Sequence, residues 1–221
     1  MSSLKRIITL LGDYYHPEEW IRASLNRALS FLNQNEKYEY IEIQTNQLRE
    51  ELDKQPDAVI LFKEDRINPT DEKVESWMNE EIGIAITKYV EHGGGWLGWH
   101  AGLASYSING PYTKMLKGYF EYHPVPHPQV KYTDVHGDHP FGPVSFEIKD
   151  EHYFVKVNEK ETNIFLESDS VEGHSVAGWF HSFGEGRVCC LTPAHNEEGL
   201  LDEEFTQLLA KTIEWVSNNR G

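Results

Sequence analysis

The stretch Gly93-Gly94-Gly95-Trp96-Leu97-Gly98-Trp99-His100-Ala101-Gly102 decides how this chain is read: a glycine-rich entry, a short apolar strand, and Gly-x-His-x-Gly at its end. That is the pattern of a strand-to-helix elbow. Glycines on either side of one residue let the backbone turn sharply and present that side chain at the carboxyl end of a sheet, where α/β proteins gather their chemistry. The presented residue is His100. Elbows more often carry Ser or Cys as nucleophile, so a histidine here predicts proton transfer, carbonyl polarisation or metal ligation ahead of acyl transfer.

Upstream of the elbow, strand and helix alternate. Residues 6–11 form a buried-type strand, the loop Gly12-Asp13-Tyr14-Tyr15-His16-Pro17 follows, and helical periodicity runs from about residue 18 to 32. Residues 40–44 and 58–62 are further strands, and Thr70-Asp71-Glu72 is expected to cap a long helix reaching about Glu91. Four strands alternating with helices predict an α/β fold with a parallel, doubly wound sheet whose ligands lie at the carboxyl ends of the strands. From Gly118 the texture changes to short runs at 130–133, 145–148, 163–166 and 175–180, several expected to be antiparallel. Gly184-Glu185-Gly186 reads as a hairpin turn before Arg187-Val188-Cys189-Cys190-Leu191, and an amphipathic helix over about 203–216 turns its apolar side to the core.

The 221 residues contain no linker, repeat or low-complexity tract, so a single domain spanning 1–221 is expected. Twenty basic against 36 acidic residues give a net charge of -16, which opposes nucleic acid and anionic membrane surfaces and points to a small neutral molecule as partner. The apolar stretch 7–11 is too short for a signal-peptide core or a membrane span, so the expected location is cytoplasmic. Cys189 and Cys190 are strand neighbours that must face opposite ways, and they are expected to be packed thiols. A homodimer is the default assembly.

Eleven histidines are many for this length, and His16, His100, His123 and His195 all stand just past predicted strands. In Asp150-Glu151-His152-Tyr153, Glu151 and Tyr153 share one face if the strand continues, with Asp150 and His152 on the other. A histidine beside a carboxylate makes a proton-transfer couple near neutral pH; the competing reading makes Asp150 and Glu151 solvated turn residues. His127 and His139 precede prolines and read as structural turn positions, and His136, His174 and His181 as surface or packed histidines. Imidazole and carboxylate suit zinc, iron or manganese, so a divalent metal is compatible with the cluster without being specified by it. Trp99 and Trp179, with Tyr14, Trp96, Tyr106 and Phe180, are candidates for a stacking floor under sugar rings, although aromatic residues are more often core. No phosphate-binding loop or dinucleotide fingerprint is present.

Taken together, the elbow, Tyr119-Phe120-Glu121-Tyr122-His123-Pro124, Asp138-His139-Pro140, Asp150-Glu151-His152-Tyr153, and Gly184-Glu185-Gly186-Arg187-Val188 followed by Ala194-His195-Asn196-Glu197-Glu198 resemble the ThuA-like family of trehalose-utilisation proteins. The resemblance covers nearly the whole chain. It implies a fold similar to class I glutamine amidotransferases, flavodoxin-like, with a mostly parallel sheet and helices on both faces. In that wider superfamily the elbow bears a catalytic cysteine; His100 holds its place here, which excludes thiol-dependent amide hydrolysis at this position. The implied ligand is a carbohydrate, either a disaccharide or a keto-sugar or keto-glycoside. The resemblance places His100, His123, Glu151, Tyr153 and His195 in the pocket, with His16 beside them; of these, His100, Glu151, Tyr153 and His195 are the expected catalytic residues, while Trp99 and Trp179 are substrate-binding candidates as stacking rings. The expected activity is isomerisation or lyase-type cleavage by histidine–glutamate acid–base or metal-assisted chemistry. The alternative is a non-catalytic sugar-binding or regulatory module. The chain ends soon after its last helix, so any partner enzyme is expected to be a separate chain.

Overall fold

A computed structural model describes residues 4–33, 37–135 and 138–218. The elbow stretch forms a strand, Gly95–Trp99, that lies inside a nine-stranded sheet and is buried along its whole length. In chain order the strands are β1 (Leu4–Leu11), β2 (Lys37–Glu42), β3 (Ala58–Phe62), β4 (Gly95–Trp99), β5 (Gly118–Tyr122), β6 (Gln129–Asp134), β7 (Ser145–Lys149), β8 (Phe154–Val157), β9 (Asn163–Ser170), β10 (Gly173–Phe183) and β11 (Gly186–Leu191). The helices are α1 (Glu18–Leu32), α2 (Leu48–Asp53), α3 (Glu80–Glu91), α4 (Pro111–Leu116), α5 (Glu197–Leu200) and α6 (Glu203–Ser217).

The sheet order is β2-β1-β3-β4-β11-β10-β9-β6-β7, with β5 and β8 pairing separately. β2, β1, β3, β4 and β11 run parallel to one another. Strands β10, β9, β6 and β7 extend the sheet in antiparallel fashion. The expected doubly wound parallel sheet is therefore only half of the architecture. The reason is connection length: β9, β10 and β11 are joined by tight turns with no helix between them, and short turns reverse a strand, whereas parallel pairing needs a crossover.

β3 and β4 read as unbroken apolar runs because helices cover both faces. One core gathers Ile21, Leu25 and Ala28 of α1 with Phe205, Leu209 and Ile213 of α6. The other gathers Leu48 and Leu52 of α2, Ile86 and Tyr89 of α3 and Tyr112 of α4. Cys189 lies in the first core and Cys190 in the second, both free, as the alternation of side chains along β11 requires. Gly102, just past β4, approaches β3 so closely that a Cβ there would overlap the Leu61 carbonyl oxygen. No helix among the described residues is long and apolar enough to cross a membrane.

The long helix expected to begin at Thr70 starts only at Glu80, where Asn79 caps it by accepting from the Ile82 amide. Residues 70–79 are held as turns by side chains that capture backbone groups. Asn68 accepts from the Glu75 amide and donates to the Lys73 carbonyl, and Asp65 accepts from the Met78 amide. Such local bonds compete with helix formation.

His181 on β10 is packed, 4% exposed, and its Nε2 bonds the Met115 carbonyl. Burial pushes its pKa down to about 4, only partly offset by that bond. An unfolded histidine titrates near 6.5, so the folded state binds fewer protons between these values and stability falls as pH drops through that window. This one group should cost about 3 kcal/mol of stability between pH 7 and pH 4. Urea unfolding of the wild type and His181→Gln across that range checks it: the variant should show the shallower dependence. Of the other two histidines read as surface or packed, His174 is exposed beside Glu167 and Asp169, and His136 lies outside the described residues.

Candidate functional site

Five loops bring the site together at one end of the sheet. His16 closes the turn after β1, where Asp13 Oδ1 accepts from the Tyr15 and His16 amides and lies 2.6 Å from His16 Nδ1. The other Asp13 oxygen accepts from the Glu64 amide, tying the loop after β1 to the loop after β3. His100 begins the 3-10 turn His100–Leu103 with φ of 46°, a left-handed conformation that costs an ordinary residue about 1 kcal/mol and turns its ring off the strand. Its Nδ1 donates to the Thr192 carbonyl at 2.6 Å, and its ring lies between Tyr153, stacked at 4.2 Å, and Phe62 at 5.4 Å. Glu151 comes from the loop between β7 and β8, His195 from the loop after β11, and His123 and His127 from the loop after β5.

Glu151 is the hub. Its Oε2 lies 3.4 Å from His100 Nε2 and 3.3 Å from His195 Nδ1. Its Oε1 lies 3.3 Å from His127 Nε2 and 3.6 Å from His123 Nε2. The ring of His16 sits 5.2 Å from that of His100 and 4.9 Å from that of His195. Among the described residues, His16 Nε2, His100 Nε2 and His195 Nδ1 are buried with no hydrogen-bond partner.

The electrostatics follow from this packing. Burial pushes the Glu151 carboxyl up, but His100, with His195 and His123, outweighs it and holds the group at about 2. Burial opposes the charge on His100, and Glu151 and Asp150 overcome it, raising that imidazole. His195 is driven down to about 3 by burial and by repulsion from His100. Asp150 is fully buried and pushed up to about 6, with His100 pulling it back. Its carboxylate is a joint: Oδ1 accepts from the amides of His195 at 2.7 Å and Glu151 at 3.0 Å, and Oδ2 accepts from Tyr132.

A cleft of about 310 Å³ opens beside Glu151, Tyr153, His16 and His123, walled by Tyr15, Glu64, Arg66, Ser105 and Phe120. Glu64 is 2% exposed; its Oε2 accepts from Arg66 and Ser105, and its Oε1 is buried without a partner.

The structure therefore brings together His16, His100, His123, Glu151, Tyr153 and His195. Trp99 and Trp179 do not join them. Both are fully buried, their indole N–H groups bonded to the Pro193 and Leu116 carbonyls. They sit on inner strands of a sheet covered on both faces, where a large ring is core, and the sugar-stacking role read for them is corrected accordingly. Nor does the strand continue through residue 153: the chain leaves β7 after Lys149, so Asp150 turns inward while His152 bonds Ser168 and Ser170. Neither Asp150 nor Glu151 is a solvated turn residue.

His127, read as a turn residue before Pro128, stands against Glu151 instead. Its signal was the His123-x-x-x-His127 spacing, which sequence reasoning overlooked. No sequence signal marks Glu64; the register of β3 places it.

Metal fits this site. His16, His100, His195 and Glu151 can each offer one ligand atom, all within 4.8 Å of one another. An ion with bonds of about 2.1 Å holds tetrahedral ligands roughly 3.4 Å apart, the spacing seen between Glu151 and both His100 and His195. In His16 and His100 the opposite ring nitrogen is already bound to Asp13 or the Thr192 carbonyl, the arrangement that directs a lone pair toward an ion.

The ThuA family, described as trehalose utilisation, matches residues 14–216. No curated protein matches the chain. A ThuA-like protein from Bacteroides uniformis ATCC 8492 superposes with a TM-score of 0.66 at 20% identity, covering 96% of this chain and 91% of that one. One from Parabacteroides merdae ATCC 43184 gives 0.70 at 16% identity, covering 98% and 91%. The glutaminase domain of Trypanosoma brucei CTPS gives 0.53 at 10% identity, covering 95% and 94%, a likeness of fold alone.

Proposed function

The chain belongs to the ThuA family, described as trehalose utilisation, and from that premise we propose that it is a metal-dependent enzyme acting at the carbonyl of a keto-sugar or keto-glycoside, as an isomerase or lyase. One observation carries this reading: three buried imidazole nitrogens without hydrogen-bond partners converge beside an ionised glutamate. Burying unsatisfied nitrogens is costly, and a bound divalent cation is the ligand that satisfies all three at once.

Three histidines and one carboxylate would hold the ion, which when bound polarises the sugar's carbonyl and steadies charge on its oxygen. The chain's own groups do the rest. Tyr153 fixes the plane of His100 by stacking on it. Glu64 lines the same cleft with one oxygen held by Arg66 and Ser105, and it is the carboxylate assigned to exchange a proton with the carbon beside the carbonyl.

The test pairs two variants of untagged protein purified without chelator. His100→Ala should lower divalent-metal affinity by about 100-fold or more. Glu64→Gln should keep the metal and lose roughly 10²–10³-fold in turnover of an accepted keto-sugar, followed by NMR. Metal absent from the wild type would overturn the metal assignment. Tight sugar binding with no product over long incubation would assign the protein as a binding module.

A further inference from the structure

We infer that Glu151 bridges two cations, the second held by His123 and His127; the inference rests on the metal reading of the site given above. The carboxylate's two oxygens face different histidine pairs, Oε2 toward His100 and His195 and Oε1 toward His127 and His123. All four separations lie between 3.3 and 3.6 Å. A charge-assisted hydrogen bond between imidazole and carboxylate would be about 2.7–2.9 Å. These contacts are too long for that on every side. They instead match the edge between two ligands of one ion, on both oxygens.

The outer pair has the makings of a site of its own. His123, His127 and Glu151 can each offer one ligand atom within 4.8 Å of the others. His123 Nδ1 lies 3.2 Å from the Pro124 carbonyl, which can only accept, so Nε2 carries the lone pair on the side of Glu151. The two rings stand nearly perpendicular at 5.8 Å, so their Nε2 atoms approach one oxygen from different directions. Both side chains are partly open, 28% and 27% exposed, whereas His100 is fully buried. Three protein ligands leave the outer ion open positions toward the cleft, which His123 lines, and exchangeable with solvent. Carboxylate-bridged ions sit about 3.5–4 Å apart, a distance that suits two neighbouring oxygens of a sugar.

Mn²⁺ is the probe. Full-length untagged protein is equilibrated with Mn²⁺, dialysed, and its metal counted by mass spectrometry, with low-temperature EPR on the same samples. The wild type should hold two ions per chain and show an exchange-coupled spectrum. His127→Ala, and independently His123→Asn, should hold one and show the six-line signal of an isolated ion, with unchanged circular dichroism. One ion in the wild type, with both variants unchanged, would overturn the second site and leave the inner one standing. No ion in any sample would overturn both. Should one variant fail to fold, the other decides, and the wild-type spectrum alone separates coupled from isolated ions.

Discussion

Glu151→Gln is expected to abolish metal retention and to lower turnover by about 10⁴-fold or more, while leaving the fold intact. The substitution is isosteric, so packing against His100, His195, His123 and His127 persists. What it removes is the negative charge that all four imidazoles face and that His100 and its neighbours hold at about 2. Neutral amides are poor ligands for divalent ions, and a bound ion supplies several kcal/mol of charge stabilisation in a reaction at a carbonyl. At about 1.4 kcal/mol per decade, that is the expected loss. Isothermal titration with Mn²⁺ or Zn²⁺, together with turnover of the keto-sugar accepted by the wild type, measures both. Retained metal and activity within tenfold of the wild type would remove Glu151 from the site.

Gly102→Ala should be strongly destabilising for a single added methyl. The added Cβ would overlap the Leu61 carbonyl oxygen, and that oxygen belongs to β3, buried and paired on both sides by β1 and β4. A backbone atom so placed cannot swing aside, so β3 or the elbow must move, at a cost of about 4 kcal/mol or more. In a protein of this size that is a fall in melting temperature of roughly 10 °C or more. Gly142→Ala is the control. Its φ of 70° disfavours alanine by about 1–2 kcal/mol, but its nearest neighbour is the mobile end of Lys211. Differential scanning calorimetry of both variants should separate the two costs, and equal melting points would show that the elbow yields.

Much of this was legible in the residues. The apolar runs of β3 and β4 read as buried strands, and the glycines around His100 read as an elbow ahead of a simple glycine-tolerant turn. The hub carboxylate and three of its histidines also stood where strand ends predicted. Other elements were hidden for physical reasons. The Thr70-Asp71-Glu72 cap was plausible locally, but Asn68 and Asp65 captured the backbone that a helix needed. His127 looked structural because Pro128 restricts it, and only the tertiary path of that loop carries its ring to Glu151. Trp99 and Trp179 belong to strands whose both faces are covered, and no local pattern distinguishes a core tryptophan from a sugar platform. Glu64 became visible only through the space around it.

Strand β11 belongs to two kinds of neighbour at once, hairpin-paired with β10 and parallel to β4. The hairpin closes through a tight turn, a local event on a microsecond scale, whereas docking onto β4 must first bring together segments far apart along the chain and is intrinsically slower. His100 leaves the end of β4 and His195 the end of β11, so the two meet only after that slower zipping is complete. On the proposed metal reading, the inner centre is therefore complete only once β11 has docked on β4, and uptake of a divalent ion would report that step.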